Sequence, residues 1–403
     1  MKGRRMVQEQ TVDVAVIGAG QAGLSAAYYL QRRGLAAGFG FVVLDANEGP
    51  GGAWRHRWDS LTLGSVHGIH DLPRSALGTP DPREPASSVV SRYYGDYEAE
   101  FRLNVQRPVR VLKVSATGDG HRDDHGDGPS GGLLRIDTDS GAWQARAVIN
   151  ATGTWDKPYW PRYPGQENFG GLQLHTHDFR SAADFAGRRV LVVGGGTSAL
   201  QFLLQLNDAG AQTVWSTRRP PEFTRTPFDT EWGREVEQRV SERTRAGLPP
   251  LNVVAATGLP LTPQYQAGID DGVLVSRGPL TRITADGAVF ADGSTAEADV
   301  ILWATGFRAA LDHLASLRLR EPGGGIRMNG PQVHKLPQLF LVGYGESAST
   351  LGATRAGRAA ATAALDLLGP GVSGRPGPAA TPRPPRRTQS GSPAPSRGAI
   401  SRT

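Results

Sequence analysis

Residues 12–31 read as strand, glycine turn and helix with nothing between them, and few folds accept that order. Val12-Asp13-Val14-Ala15-Val16-Ile17 is a β-branched run of the kind that forms a strand buried on both faces. Gly18-Ala19-Gly20-Gln21-Ala22-Gly23 follows at once, and Leu24 to Gln31 carries Ala26, Ala27 and Leu30 at helical spacing. In such a unit Gly18 permits the tight turn, Gly20 lets a pyrophosphate approach the backbone, and Gly23 lets the helix pack on the strand. Gln21 and Ala22 open the helix, whose first N–H groups and positive dipole end face the phosphates. A second strand, Phe41 to Leu44, ends at Asp45, 22 residues beyond Gly23, where a carboxylate grips a ribose hydroxyl. The run predicts a dinucleotide site in an α/β fold.

The same order recurs downstream. Arg189-Val190-Leu191-Val192-Val193 is a buried strand, and Gly194-Gly195-Gly196-Thr197-Ser198-Ala199 is a second fingerprint with alanine in its last place. The following strand, Thr213 to Ser216, ends in Thr217-Arg218-Arg219. An acid there would repel a 2′-phosphate, whereas guanidiniums fork onto one, so this site is expected to take NADPH in preference to NADH. The two turns lie about 175 residues apart and end differently, which implies two different dinucleotides. Gly49-Pro50-Gly51-Gly52-Ala53-Trp54, just after Asp45, reads as backbone packed against a flat ligand, with Gly52 and Trp54 nearest to it. With NADPH as the donor, FAD is the candidate acceptor.

Phe169-Gly170-Gly171-Leu172-Gln173-Leu174-His175-Thr176-His177-Asp178-Phe179-Arg180 matches FxGxxxHxxxFR, the identifying run of the flavin-containing monooxygenases. The chain resembles that family across nearly all of residues 11–369. Ala151-Thr152-Gly153-Thr154-Trp155 is similar to its first domain crossover, Ala304-Thr305-Gly306-Phe307 to its second, and Leu339-Phe340-Leu341-Val342-Gly343 to its late flavin-contacting strand. Phe179-Arg180 has no tryptophan and acid or proline after it, which argues against the Baeyer–Villiger relatives. By resemblance, Thr152, Gly153, Thr305, Gly306 and Gly343 touch the cofactors. Phe169, Gly171, His175, Phe179 and Arg180 link the domains and position NADPH, with His175 a positioning residue and not a general base. The N-terminal end of a last helix, Ala353 to Leu368, is expected to face the flavin.

The fold class expected is α/β: two Rossmann-like, three-layer dinucleotide-binding domains, the NADPH domain inserted in the FAD domain. The FAD domain takes residues 8–160 and 298–369, the NADPH domain 161–297, and 370–403 is a disordered tail. Ala147 to Gly153 and Ala298 to Gly306 are similar strand-then-Ala-Thr-Gly segments, and each follows a hairpin, so the chain echoes itself.

The 403 residues include no cysteine, which excludes a disulfide framework, a thiolate zinc site, an Fe–S cluster and a redox dithiol. A disulfide reductase chemistry goes with them, so electrons leave for oxygen or an external acceptor. Nine histidines show no paired spacing, and His67 and His70 lack a third ligand, so no metal is expected. The net charge of +6 belongs to the tail: residues 371–403 hold six arginines and no acid, and the remainder balances 38 bases against 38 acids. A Pro, Ser, Gly and Arg tail cannot bury enough surface to fold. No partner nucleic acid or membrane is expected, since no stretch approaches the roughly 20 apolar residues of a span. A cytoplasmic location is the default, and oligomeric state is unreadable.

The resemblance implies a monooxygenase in which NADPH reduces FAD, a flavin C4a-hydroperoxide forms with O2, and one oxygen atom passes to a small organic substrate. No protein nucleophile or triad is expected. Where the family carries an asparagine beside the flavin, Gly64 stands here, and Ser65 is the nearest polar group; the loop looks closer to the auxin-pathway branch. Two other functions stay open: an NADPH-dependent flavin oxidoreductase or oxidase making H2O2 without oxygen transfer, and a non-catalytic flavin-binding sensor. Stretches Trp58–Pro73 and Thr224–Arg239 are the candidates for a substrate pocket.

Overall fold

A computed structural model describes residues 9–66, 69–117, 132–225, 230–250, 258–345 and 350–370. His67 and nearly all of the arginine-rich tail lie outside the described residues, and so do the side chains of 226–237 in the second candidate pocket stretch.

Along the chain, β1 (Gln10–Ile17) turns into α1 (Gln21–Arg32) and returns along β2 (Phe41–Leu44). After α2 (Ala86–Phe101) come β3 (Val105–Gln106), β4 (Val111–Ala116), β5 (Leu134–Thr138) and β6 (Ala142–Asn150). Next come β7 (Leu172–His175), β8 (Arg189–Val193), α3 (Thr197–Asp208) and β9 (Gln212–Ser216). The pair β10 (Phe223–Thr224) and β11 (Leu259–Pro260) brackets α4 (Thr230–Arg245), and α5 (Pro263–Asp270) follows. A meander of β12 (Leu280–Ile283), β13 (Gly287–Phe290) and β14 (Thr295–Glu297) leads into β15 (Val300–Trp303). Last are β16 (Met328–Asn329), β17 (Gln332–Val333), β18 (Leu336–Leu341) and α6 (Thr350–Leu368).

Two main sheets carry the molecule, one mixed and one parallel. The first runs β16-β17-β18-β6-β1-β2-β3, with the β4–β5 hairpin attached to β6. The second runs β7-β15-β8-β9, parallel throughout. In both, the strand before the glycine turn sits between the strand that follows the helix and the strand that ends in Ala-Thr-Gly. Neighbours β6-β1-β2 thus correspond to β15-β8-β9, and the sequence echo is an architectural one.

Burial explains the continuous apolar runs. Val14 and Val16 of β1 face α1, α2 and α6, while Ala15 and Ile17 face the opposite layer with Val114, Leu314 and Leu319. A strand covered on both sides needs apolar residues at both parities. Helix α6 lies against α1 so closely that a Cβ on Gly357 would stand 2.2 Å from the Ala22 carbonyl oxygen. Glycine there lets the helix backbones touch. Among the described residues no helix is long and apolar enough to cross a membrane.

One boundary differs from expectation. Strand β15 was expected in the FAD domain, from residue 298 onward, but it pairs in register with β7 (Leu302 beside Leu174) and β8 (Leu302 beside Val192) in the second sheet. The reason is the repeat itself: the strand before each Ala-Thr-Gly closes its own sheet, so the chain leaves the second sheet at Ala304 and not at 298.

Candidate functional site

Each glycine of the first turn answers to a different neighbour. Gly18 has φ +99°, and a Cβ on it would stand 2.5 Å from the Ala151 carbonyl oxygen. On Gly23 a Cβ would meet the Gly18 carbonyl oxygen at 1.9 Å. On Gly20 it would meet nothing within 4 Å. Gly18 and Gly23 are therefore demanded by packing, whereas Gly20 leaves a space that the protein does not fill. That space opens on a cavity of about 980 Å³, lined by Gly18, Gly20, Gln21, Ala22, Asp45, Gly52, Trp54, Thr152, Gly153 and Gly343, with Ala353 from the first turn of α6. The volume sits at the upper end of ordinary small-molecule sites. An open cradle over a helix N-terminus fits a dinucleotide phosphate.

Asp45 enters the cavity already held. Its Oδ2 accepts from Arg107 Nε at 2.7 Å and its Oδ1 from Asn47 Nδ2 at 3.1 Å. The other two guanidinium nitrogens of Arg107 fork onto Glu98 at 2.6 and 2.8 Å. All three side chains are nearly buried, at 6, 11 and 13 % exposure for Asp45, Arg107 and Glu98. Asp45 lines the cavity with its orientation set by Arg107.

Gly52, at φ +53°, brings the Gly49–Trp54 loop onto the first turn: a Cβ on it would stand 2.9 Å from Gly20 Cα. Trp54, His56 and Trp155 continue the cavity wall, with Phe307 stacked on Trp155 at 5.1 Å. On the other side, His313 donates from Nε2 to Asn150 Oδ1 at 2.7 Å. Asn150 donates to Thr152 Oγ1 at 3.1 Å, and Thr152 donates to the Ala310 carbonyl at 2.8 Å. Burial pulls the His313 pKa down to about 4, so the ring is neutral and holds this relay in one direction.

The second turn repeats the first. Gly194 packs against the Ala304 carbonyl oxygen, 2.1 Å from where its Cβ would be, as Gly18 packs against Ala151. Gly196 precedes α3, whose first turn is Thr197, Ser198 and Ala199. At the end of β9 the Thr217 hydroxyl is buried and bonded to Ser276 Oγ at 2.7 Å. That bond ties the end of β9 to the loop before β12. Arg218 and Arg219 are exposed, and among the described residues neither has an acid within bridging distance. Tyr163 lies close enough to Arg218 to feel its charge.

The linking run divides into packing and positioning. A Cβ on Gly171 would strike the Asp299 carbonyl oxygen at 2.4 Å and the Phe169 ring at 2.7 Å, so Phe169 and Gly171 lock the β7 edge of the sheet. Phe179 is fully buried between Trp58 and Phe202, and Arg180 donates to the carbonyls of His177 and Phe179. His175 is also fully buried. Its Nδ1 accepts from the His177 backbone N–H at 3.1 Å, so Nε2 carries the proton and donates to the Gly306 carbonyl at 3.0 Å. Burial lowers its pKa to about 4. Both nitrogens are engaged, which leaves His175 to hold Gly306 in place. That glycine also accepts from the Tyr159 N–H at 2.9 Å, while Arg308 N–H donates to Lys157. The two crossovers run side by side, bridged at Pro158 and Phe307. The Thr305 hydroxyl donates to the Tyr159 carbonyl and ties the same pair.

Ser65 is not brought to this cavity. Its hydroxyl donates to the Thr62 carbonyl at 2.8 Å, and its carbonyl accepts from Gln201 of α3 at 3.3 Å. The loop after Trp54 docks on the second body: Trp58 and Leu61 are buried in the core around α3, so they serve as packing rather than as pocket wall. Three cavity or cavity-edge groups, Arg57, Arg107 and His313, were not anticipated. The short half-buried strand β3 before Arg107 carries no sequence signal that pairs it with Asp45.

Comparison with known proteins agrees with this geometry. Residues 15–248 match the pyridine nucleotide-disulphide oxidoreductase family. A flavin-containing monooxygenase from Stenotrophomonas maltophilia superposes with a TM-score of 0.73 at 35% identity, covering 89% of this chain and 100% of that one. An uncharacterized CzcO-like oxidoreductase from Geobacillus kaustophilus (strain HTA426) is 26% identical over 308 residues, 74% of this chain and 81% of its own. The indole-3-pyruvate monooxygenase YUCCA1 from Oryza sativa subsp. japonica is 28% identical over 326 residues, 73% of this chain and 76% of its own.

Proposed function

The chain belongs to the pyridine nucleotide-disulphide oxidoreductase family, among its flavin-containing monooxygenases, and from that premise we propose that it uses FAD and NADPH to place one oxygen atom of O2 in a small organic substrate. The observation that carries this reading is the duplicated turn. Each glycine turn seats on the carbonyl of an Ala-Thr-Gly alanine, yet one ends in the held carboxylate of Asp45 and the other in the exposed guanidiniums of Arg218 and Arg219, which meet no acid among the described residues. A carboxylate suits a free ribose hydroxyl, and guanidiniums suit a 2′-phosphate.

We read residues 8–160 and 304–369 as the FAD-binding body and 161–303 as an inserted NADPH-binding body. When bound, the flavin supplies two-electron transfer from nicotinamide to oxygen. The chain's own contribution is placement and dryness. The α1 N–H groups and the open face of Gly20 receive the pyrophosphate. Asp45 orients the ribose, and Gly52, Gly153 and Gly343 admit the flat ring. Trp54, Trp155 and Phe307 keep water from the junction of the two bodies, where an exposed reaction would leak. Neutral His175 fixes the second crossover without offering a proton.

The test is turnover of the holoenzyme with NADPH, ¹⁸O2 and a panel of small nucleophiles and carbonyl compounds, scored by mass spectrometry against peroxide. Product carrying one labelled oxygen is the expected result. Peroxide equal to the NADPH consumed, with no labelled product across the panel, would assign the oxidase function instead, and a flavin that NADPH cannot reduce would assign a binding role.

A further inference from the structure

Helix α2 carries three tyrosines whose hydroxyls have different fates. The Tyr93 hydroxyl accepts from the Leu72 N–H at 2.7 Å and donates to the Ser75 carbonyl at 2.7 Å. The Tyr97 hydroxyl donates to the Pro73 carbonyl at 3.2 Å. One loop, residues 72–75, engages both, because positions four apart share a helix face. Tyr94 lies round the helix from them. It is only 1 % exposed, and among the described residues its hydroxyl makes no hydrogen bond. Tyr94 is also one of the residues that line the cavity of about 980 Å³. A buried phenol with no acceptor is costly to leave unmet. Standing at a cavity wall, it calls for an acceptor from outside the chain.

The neighbours of Tyr94 on α2 fix which end of the cavity it serves. Ser91 and Gly95 flank it on the same strip of the helix. A Cβ on Gly51 would stand 2.4 Å from Ser91 Oγ, and one on Gly95 would stand 3.0 Å from Pro50 Cγ. That strip therefore lies against the Gly49–Trp54 loop, whose Gly52 rests on Gly20 of the first turn. Tyr94 shares a core with Ala19 of that turn and Leu24 of α1. It thus stands at the glycine-turn end of the cavity. Burial pushes the phenol above its usual pKa, so it keeps its proton and can donate it.

We infer that Tyr94 is a cofactor-binding residue whose hydroxyl donates a hydrogen bond to a pyrophosphate oxygen of FAD, from the α2 side of the cradle. The inference rests on FAD as the occupant of the first cavity. The α1 N–H groups approach a phosphate from one helix end; the phenol adds a donor from a second element. Because this donor is unmet until the cofactor arrives, removing it should weaken the cofactor and spare the empty fold. Phenylalanine keeps the ring and deletes only the unsatisfied group, a change that leaves a fold unharmed or steadier.

The experiment uses the full chain stripped of its flavin. FAD rebinding is read by flavin fluorescence, and ADP binding by competition with FAD for the same cavity. Tyr94→Phe is expected to bind FAD and ADP each about tenfold more weakly, the worth of a hydrogen bond to a charged group. Its flavin-free melting temperature should equal or exceed that of wild type. Tyr93→Phe is the contrast: its hydroxyl serves the fold, so the melting temperature should fall while FAD affinity changes little. A Tyr94→Phe protein that binds FAD as tightly as wild type would overturn the inference. So would one whose affinity falls only in step with a lowered flavin-free melting temperature. Weaker FAD binding with ADP binding intact would place the contact at the flavin end and sink the pyrophosphate assignment. Wild type that takes up no FAD would overturn the FAD reading itself, an outcome distinct from a failure confined to the variant.

Discussion

Arg107 Nε stands 2.7 Å from Asp45 Oδ2, across 62 residues of chain, because β3 runs parallel beside β2 with Gln106 opposite Leu44. The residue after each strand therefore meets its counterpart, and the acid that ends β2 is oriented by the base that ends β3.

Removing that base leaves two buried carboxylates with nothing to pair them. Arg107→Ala is expected to cost about 3–5 kcal/mol of stability by urea denaturation and to weaken flavin retention with it. Arg107→Lys should recover only part, since an ammonium cannot bridge Asp45 and fork Glu98 together. A loss in the alanine variant below about 1 kcal/mol, the size of an exposed pair, would mean that the clasp is incidental.

The three glycines of the first turn should separate in their phenotypes. Gly20→Val has room in the fold and none for a phosphate, so it should purify colourless yet melt close to flavin-free wild type. Gly23→Ala drives a methyl into the Gly18 carbonyl and should lose about 1–3 kcal/mol or more as an overpacked contact. A yellow Gly20→Val protein with full flavin content would show that the first cavity holds something else.

Arg218→Ala combined with Arg219→Ala should raise KM for NADPH by about tenfold or more, the worth of a charge-assisted hydrogen bond, and leave KM for NADH nearly unchanged. Steady-state kinetics with both nucleotides checks it, and equal losses would remove the phosphate assignment. Thr217→Val should cost stability as well, because its buried hydroxyl is bonded to Ser276.

Stability should fall on the acid side of neutrality. His175 and His313 have folded pKa values near 4 against 6.5 for a free ring. Between those values the unfolded chain binds more protons than the folded one, so stability is complete above about 6.5 and is lost as the pH falls toward about 4. Each ring should account for about 3 kcal/mol over that window, read as the shift in urea midpoint. His175→Gln should flatten part of the slope; a slope unchanged in that variant would show that His175 is not the titrating group.

The sequence alone determined the local units. Strand, glycine turn and helix are short-range patterns, so both turns, the acid after β2, the arginines after β9, the hairpins and the Ala-Thr-Gly repeats were legible from spacing. What it could not determine was which distant strand lies beside which. Parallel pairing joins residues far apart in the chain, and no local period records it. Tertiary structure therefore moved β15 into the second sheet and seated Arg107 on Asp45. It turned Ser65 and Trp58 toward α3, and it set the Arg57 guanidinium over the Trp155 ring. The patterns specified two glycine turns; the packing of distant strands decided which side chains meet at each.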